Sequence, residues 1–299
     1  MQNYIGEIAA LITAFCWTIT ALAFESASLK VGSIAVNIIR LSFAFLFLGI
    51  YSLVTRGLFI PVDATTHNWI WLSLSGLIGF VLGDLFLFES YTIVGSRISM
   101  LIMTTVPLIT SAISFVFLGE RLTLSNLMGM ILVVSGIALV ILQRADGDKK
   151  FKINHSLRGL LFAFLGAVGQ SVGLVMSKVG MGDFDPFAAT QIRVITGIAG
   201  FVIVVSLWKK WGMVNGAVRD FQAMKRITLG SVFGPFLGVS LSLLAVQYTK
   251  TGIASTIMSI MPVLIIPPSI WLFKQKITSR EVVGALISVI GVACFFLFN

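Results

Sequence analysis

Apolar runs long enough to cross a bilayer follow one another along almost the whole chain, and this excludes most folds at once. Ten occur, at residues 5–24, 34–54, 69–88, 96–118, 125–142, 158–179, 187–207, 227–246, 254–273 and 281–298. About 20 residues of helix cover a hydrocarbon core of ~30 Å. A backbone polar group without a partner is costly in lipid, so runs of this kind must be helical or lie in a closed barrel. A barrel needs shorter segments of alternating polarity, and those are absent. Charged residues make up only 11% of the 299, against about 25% in an ordinary soluble domain. So few charges cannot cover a solvated surface. The longest connectors, 143–157 and 208–226, have no apolar periodicity and could not build a soluble domain. The sequence therefore predicts an all-α membrane protein with ten transmembrane helices. Ala21-Leu22-Ala23 resembles a signal-peptide cleavage site, but no Lys or Arg precedes the first run, so no cleavage is expected.

The chain is also written twice. A shift of 155 carries Gly79, Gly83, Pro107, Thr123, Gly129 and Gly136 onto Gly234, Gly238, Pro262, Thr278, Gly284 and Gly291. A shift of 153 carries Gly6, Ala14, Trp17 and Arg40 onto Gly159, Ala167, Gln170 and Arg193. Residues 1–142 and 158–299 are thus read as two copies of a five-helix unit joined by the connector 143–157. Because five is odd, the second copy enters the membrane inverted. Inverted repeats are a transporter architecture with the substrate near the midplane between the halves. Two similar half-gates, one facing each side, could then open alternately.

Two five-run copies, the "GERLT" stretch at 119–123, Pro107 within the fourth run and the Gly129/Gly136 run resemble the EamA branch of the drug/metabolite transporter superfamily. The second copy is looser, with Gln275 in "KQKIT" at the place of Glu120. The resemblance implies a ten-helix exporter of amino acids or other small metabolites, and cytoplasmic termini.

The candidate site residues divide by chemistry. Gly79/Gly83 and Gly234/Gly238, with Gly169/Gly173, put small residues on one helix face. Packing within lipid relies on such close backbone approach. Gly129/Gly136 and Gly284/Gly291 lie two turns apart and mark the fifth and tenth runs as peripheral struts. Pro107 and Pro262 each remove a helix hydrogen bond and should kink their spans. Freed carbonyls are tolerated beside a wet cavity but not against lipid. Thr104, Ser255 and Ser259 precede the two prolines, and Met103 and Met258 are symmetry mates suited to an adaptable pocket. Trp17 and Gln170 are polar-tipped residues in mid-span, expected in the cavity wall. Trp69, Trp71, Trp208, Trp211 and Trp271 lie near span ends, where tryptophan anchors to the interface.

Charges within the spans carry the sharpest expectations, because ionisable groups at membrane depth are functional by default. Arg40 lies about six residues into the second span and Asp84 about four before the end of the third, so each sits roughly 6–9 Å below the same interface. The two are predicted to pair, with Glu25 and Glu89 as rival partners. Asp84 is also the acidic residue best placed to couple transport to protons, and the forked Arg40 guanidinium could receive a substrate carboxylate. Arg193 is also expected in the cavity wall, toward the opposite face, with Asp183, Asp185 or Gln247 as partner. Glu120-Arg121 reads as an interfacial ion pair or helix-end feature.

No P-loop, catalytic triad or zinc-type spacing occurs. The chain is therefore not expected to be an enzyme, and no cofactor or metal is expected. Cys16 and Cys294 read as packing residues. The net charge of +9 reflects basic loops near anionic lipid and not a nucleic-acid surface. Setting aside Arg40 and Arg193, 15 of the Lys/Arg lie on the side opposite the termini and 4 on the termini's own side. The positive-inside rule then places the termini outside the cytoplasm, against the resemblance. The expected function is secondary export of amino acids or related metabolites across a bacterial-type inner membrane, by a monomer or weak homodimer. A lipid-carrier flippase and a non-transporting receptor or scaffold are the alternatives.

Overall fold

A computed structural model describes residues 4–141, 156–264 and 279–297. His155, Trp271, Gln275 and most of the connector 143–157 lie outside the described residues, as do the side chains of Pro262 and Cys294. Every described regular element is a helix. The order is α1 (Ile5–Val31), α2 (Ser33–Arg56), α3 (Thr66–Gly76), a π-helical segment Leu77–Gly83, α4 (Asp84–Met103), α5 (Val106–Leu118), α6 (Leu124–Ile141), α7 (Leu157–Met181), α8 (Pro186–Leu207), α9 (Trp211–Arg219), α10 (Phe221–Ser231), a second π-helical segment Val232–Gly238, α11 (Val239–Tyr248), α12 (Thr251–Met258), α13 (Met261–Leu264) and α14 (Ser279–Leu297). Six stretches are long and apolar enough to cross a membrane: α1, α2, Thr66–Ser96, α7, α8 and Phe221–Tyr248. Shorter apolar helices follow at Val106–Leu118, Leu124–Gly136 and Val282–Gly291. The run at 254–273 falls partly outside the described residues.

The helices are turned inside out relative to a soluble bundle. On α1, Ile5, Ile8, Ile12, Phe15 and Ile19 recur every three or four residues and are exposed, while Ala9, Ala10, Ala14 and Ala21 are buried. Lipid solvates large apolar side chains well, so the small ones go inward and let backbones approach. Local chemistry sets the helix ends. Asp185 caps α8 by accepting from the Ala188 N–H, with Pro186 opening the first turn, and Asp220 caps α10 through Ala223. The turn within α4 is a single residue, Gly95, at φ 78°. The left-handed region is open to glycine without a Cβ penalty, so helix continues directly on either side.

The glycine faces meet one another. A Cβ on Gly169 would lie 2.7 Å from the Gly83 Cα, and one on Gly173 would lie 3.0 Å from the Gly79 Cα. Here α7 crosses the first π segment with backbones in contact. In the second copy Gly234 and Gly238 receive α1 side chains, Thr20 and Trp17 respectively. The fifth and tenth runs pack on each other. A Cβ on Gly136 would lie 2.5 Å from the Gly284 carbonyl oxygen, and one on Gly291 would lie 2.9 Å from that of Gly129. Ser288 Oγ donates to Val133 O across this contact at 3.3 Å. The small-residue faces thus serve packing.

The prolines stand at interruptions of their spans. Helical hydrogen bonding lapses at Thr104–Thr105, although Thr105 keeps helical dihedrals at φ −75° and ψ −16°, and Pro107 lies in the first turn of α5. A first-turn proline costs nothing, because its missing N–H would have no intrahelical partner anyway. Residues 259–260 are likewise a turn between α12 and α13, with Pro262 second in α13. Each span is thus interrupted by a turn just before its proline, with Thr105 and Ser259 both in the helical region.

Candidate functional site

Four helices bring charge and amide to one place. Asp84 directly follows the first π segment, which lets a backbone i→i−5 bond form from its N–H to Gly79 O. Widened turns of this kind occur often at functional sites. Arg40, eighth residue of α2, pairs with one Asp84 oxygen. Gln170 of α7 donates Nε2 to the other at 2.6 Å. Arg40 Nε donates to Asn37 Oδ1 at 3.0 Å, and Asn37 Nδ2 donates to the Ser33 carbonyl at 3.2 Å. The rings of Phe24, Phe80 and Phe88 surround the Arg40 guanidinium at 5.5, 5.7 and 4.7 Å. Arg40 and Asp84 are both buried. The expected pairing is thus made, and the rivals are engaged elsewhere. Glu25 accepts from the Ser96 N–H and hydroxyl, and Glu89 accepts from Ser33 Oγ.

Arg193 departs from expectation. Asp185 is occupied as a cap, and Gln247 donates to Gly182 O and Phe184 O. Among the described residues Arg193 has no ion-pair partner. Its guanidinium instead lies over the Phe80 ring at 4.6 Å and against Gly79, whose hypothetical Cβ would sit 3.0 Å from Arg193 Nη2. It lines the same cavity as Asp84. Counting depth from opposite span ends misjudged it. Arg193 is the eighth residue of α8, about 12 Å in, and its long side chain spans the remaining distance to the centre.

One cavity of about 1090 Å³ of empty space, counting its open part, lies between these helices. Trp17, Arg40, Asp84, Met103, Thr104, Gln170, Arg193, Ser255, Met258 and Ser259 all line it. Pro107 and the Gly129/Gly136 and Gly284/Gly291 faces are not among its described lining residues, whereas Gly234 touches it. The hydroxyls near the second break bond their own helix: Ser255 Oγ to Gly252 O at 3.1 Å and Ser259 Oγ to Ser255 O at 2.8 Å. Phe80 and Pro235, equivalent under the 155-residue shift, face the cavity from the two π segments. Asn37, Phe24, Phe80, Phe88 and Tyr91 escaped the sequence reading. Asn37 alone had a visible signal, being an amide one helical turn before Arg40 in an apolar run.

Glu120 is a helix-end feature, but its partner is not Arg121. It pairs with Lys178 of α7 at 2.6 Å and accepts from the Thr251 N–H at 2.8 Å and hydroxyl at 3.0 Å. It thus ties the end of α5 to α7 and to the start of α12. Glu120→Ala removes all three contacts and leaves Lys178 without its carboxylate. The detergent-purified variant is expected to lose about 1–3 kcal/mol of stability, read as a lowered melting temperature. An unchanged melting temperature would deny Glu120 this tie.

Comparison with known proteins adds a lineage. The family model described as the EamA-like transporter family matches residues 4–142 and again 157–297. Protein LicB of Haemophilus influenzae is 27% identical over 139 residues, covering 45% of this chain and 46% of its own. An uncharacterized transporter of Clostridium kluyveri is 28% identical over 150 residues, covering 46% and 44%. An uncharacterized transporter of Buchnera aphidicola is 29% identical over 136 residues, with the same coverage. In each case the match spans about half the length of the curated relative. A solved crystal structure superposes on 98% of this chain and 96% of its own, with a TM-score of 0.71 and 17% identity, which is a likeness of fold.

Proposed function

This chain belongs to the EamA-like transporter family, within the drug/metabolite transporter superfamily, and on that premise we propose that it is a secondary exporter of amino acids or related small metabolites. In this reading it is a membrane transporter of ten helices, in two inverted five-helix copies over 1–142 and 158–299. It works by alternating access across a bacterial-type inner membrane and needs no cofactor. The observation that carries the reading is the shared cavity: its wall takes side chains from both copies, at symmetry-related positions such as Met103 and Met258, or Arg40 and Arg193. A scaffold has no use for a central space whose mostly apolar wall holds the buried charges of Arg40, Asp84 and Arg193. Broken spans beside that space supply segments that can move without unwinding a whole helix.

Bulk in the cavity tests the reading. Met103→Trp, Gln170→Trp and Ser259→Trp each fill part of the wall from a different span. Each is expected to lower efflux at least tenfold while the amount of protein in the membrane holds. The candidate substrates for the assay come from a metabolite-resistance screen in overproducing cells. Normal efflux in all three variants would remove this cavity from the transport path.

A further inference from the structure

We propose that Arg193 receives an anionic group of the transported molecule, and that the cargo is a compact organic anion with an apolar body and not a zwitterion. The inference rests on the reading of this cavity as the transport path, and within the small metabolites of that reading it selects organic anions over the zwitterionic amino acids. The charged side chains lining the cavity are Arg40, Asp84 and Arg193, two cations against one anion. Arg40 and Asp84 satisfy each other. Asp84 spends one oxygen on Arg40 and the other on Gln170, and Arg40 spends its Nε on Asn37. Among the described residues no acidic group of the cavity wall is left to hold an ammonium.

Arg193 is in the opposite condition. It is only 3% exposed, and its Nε has no hydrogen-bond partner. Among the described residues it has no ion pair. Its contacts include Phe80, whose ring centroid lies 4.6 Å from the guanidinium carbon, and Gly79, where a Cβ would press on Nη2. Leaving a buried cation without an opposite charge is strongly destabilising. Asp84 acts on this charge only through space, its oxygens being bonded to Arg40 and Gln170, so the guanidinium fork, which keeps its proton in proteins, is left to be bonded by another group. A carboxylate answers it with two parallel hydrogen bonds, and a planar fork held against a ring is oriented to make them. The rest of the wall suits an apolar body: Leu87, Met100, Leu174, Val239, Met258 and Met261 line it.

The test uses the full chain purified in detergent and three probes that share one aromatic ring but differ in charge. Phenylacetate is the anion, phenylalanine the zwitterion and phenethylamine the cation. Phenylacetate is expected to bind at least tenfold more tightly than either of the others, by calorimetry. Arg193→Gln is expected to lose that binding at least tenfold, and Arg193→Lys to keep part of it. A preference for phenylalanine or phenethylamine, or no binding by any probe, overturns the anion assignment. Phenylacetate binding that survives in Arg193→Gln overturns the role of Arg193. Should Arg193→Gln fail to fold, the wild-type charge series and Arg193→Lys still decide: phenylacetate bound by Arg193→Lys at full affinity denies a forked contact. Inorganic phosphate serves as a fourth probe, and phosphate binding as tightly as phenylacetate overturns the apolar body. The tryptophan series stands apart. If bulk at Met103 blocks efflux while the charge series fails, only this inference falls; if bulk leaves efflux intact, the transport reading itself falls.

Discussion

Gly169→Leu leaves little folded protein in the membrane. At this position a Cβ would lie 2.7 Å from the Gly83 Cα and 3.1 Å from both the Gly83 N and the Ile78 carbonyl oxygen. These are backbone atoms, so no rotamer change can make room, and α7 must move away from the π segment. Overpacking a close contact costs about 1–3 kcal/mol, occasionally more, and leucine adds three further carbons beyond the one already excluded. The displacement also pulls the neighbouring Gln170 from Asp84, a 2.6 Å hydrogen bond. Leu165→Phe, one turn away on a half-exposed position, faces outward and should be tolerated. Gly234→Ala, at the symmetry mate of Gly79 in the second π segment, meets the Thr20 methyl at 2.8 Å. That methyl belongs to a side chain that can yield, so a smaller loss is expected. Fluorescence-detected size-exclusion profiles of the three variants check this ordering. A normal monodisperse peak for Gly169→Leu would show that the two backbones do not touch.

These residues also show what a linear reading can reach. The spacing of Gly79/Gly83 and of Gly169/Gly173 names both faces of a crossing, because small residues one turn apart have few other uses in lipid. It does not say which face meets which. The Arg40–Asp84 pair was legible because two charges at equal depth on adjoining antiparallel spans have few other partners within reach. Arg193 was misplaced by the same depth rule, which ignores the reach of an arginine side chain and measures from opposite faces. The π segments left no sign in the first copy, where "LIGFVLG" contains no proline, although Pro235 interrupts the second. Their cause is tertiary: the extra residue in the turn belongs to the way α7 and α1 seat against them. The aromatic rings around Arg40 come from α1, the π segment and α4, and no spacing connects them. Glu120 was read with the cation beside it in sequence. Adjacent residues on a chain seldom face each other, and its true partners lie 58 and 131 positions away.

Asp84→Asn should be more damaging than Arg40→Gln, although each removes one half of the same buried pair. Breaking a buried pair from one side costs about 3–5 kcal/mol, because the surviving charge has no counter-charge. After Arg40→Gln, Asp84 still accepts from Gln170 and still faces the Arg193 charge across the cavity. After Asp84→Asn, two buried guanidinium groups remain with no anion among the lining side chains. The membrane level of Asp84→Asn should therefore fall well below that of Arg40→Gln. The combined replacement Arg40→Met with Asp84→Leu removes both charges at similar volume, and such exchanges are often neutral or stabilising. It should accumulate better than Arg40→Met or Asp84→Leu alone, so the double-mutant cycle built on those two variants reports a coupling of more than about 1 kcal/mol, within the range for directly contacting residues. Additive losses would mean that the two residues act separately. Export then separates structure from mechanism. If the apolar double variant reaches the membrane and exports normally, the pair is a strut between α2 and α4. If it accumulates but does not export, the charges themselves act in transport. The Asp84→Asn protein that does reach the membrane carries the remaining question. Export that no longer follows the proton gradient assigns coupling to this carboxylate, and an unchanged dependence limits Asp84 to holding Arg40 in place.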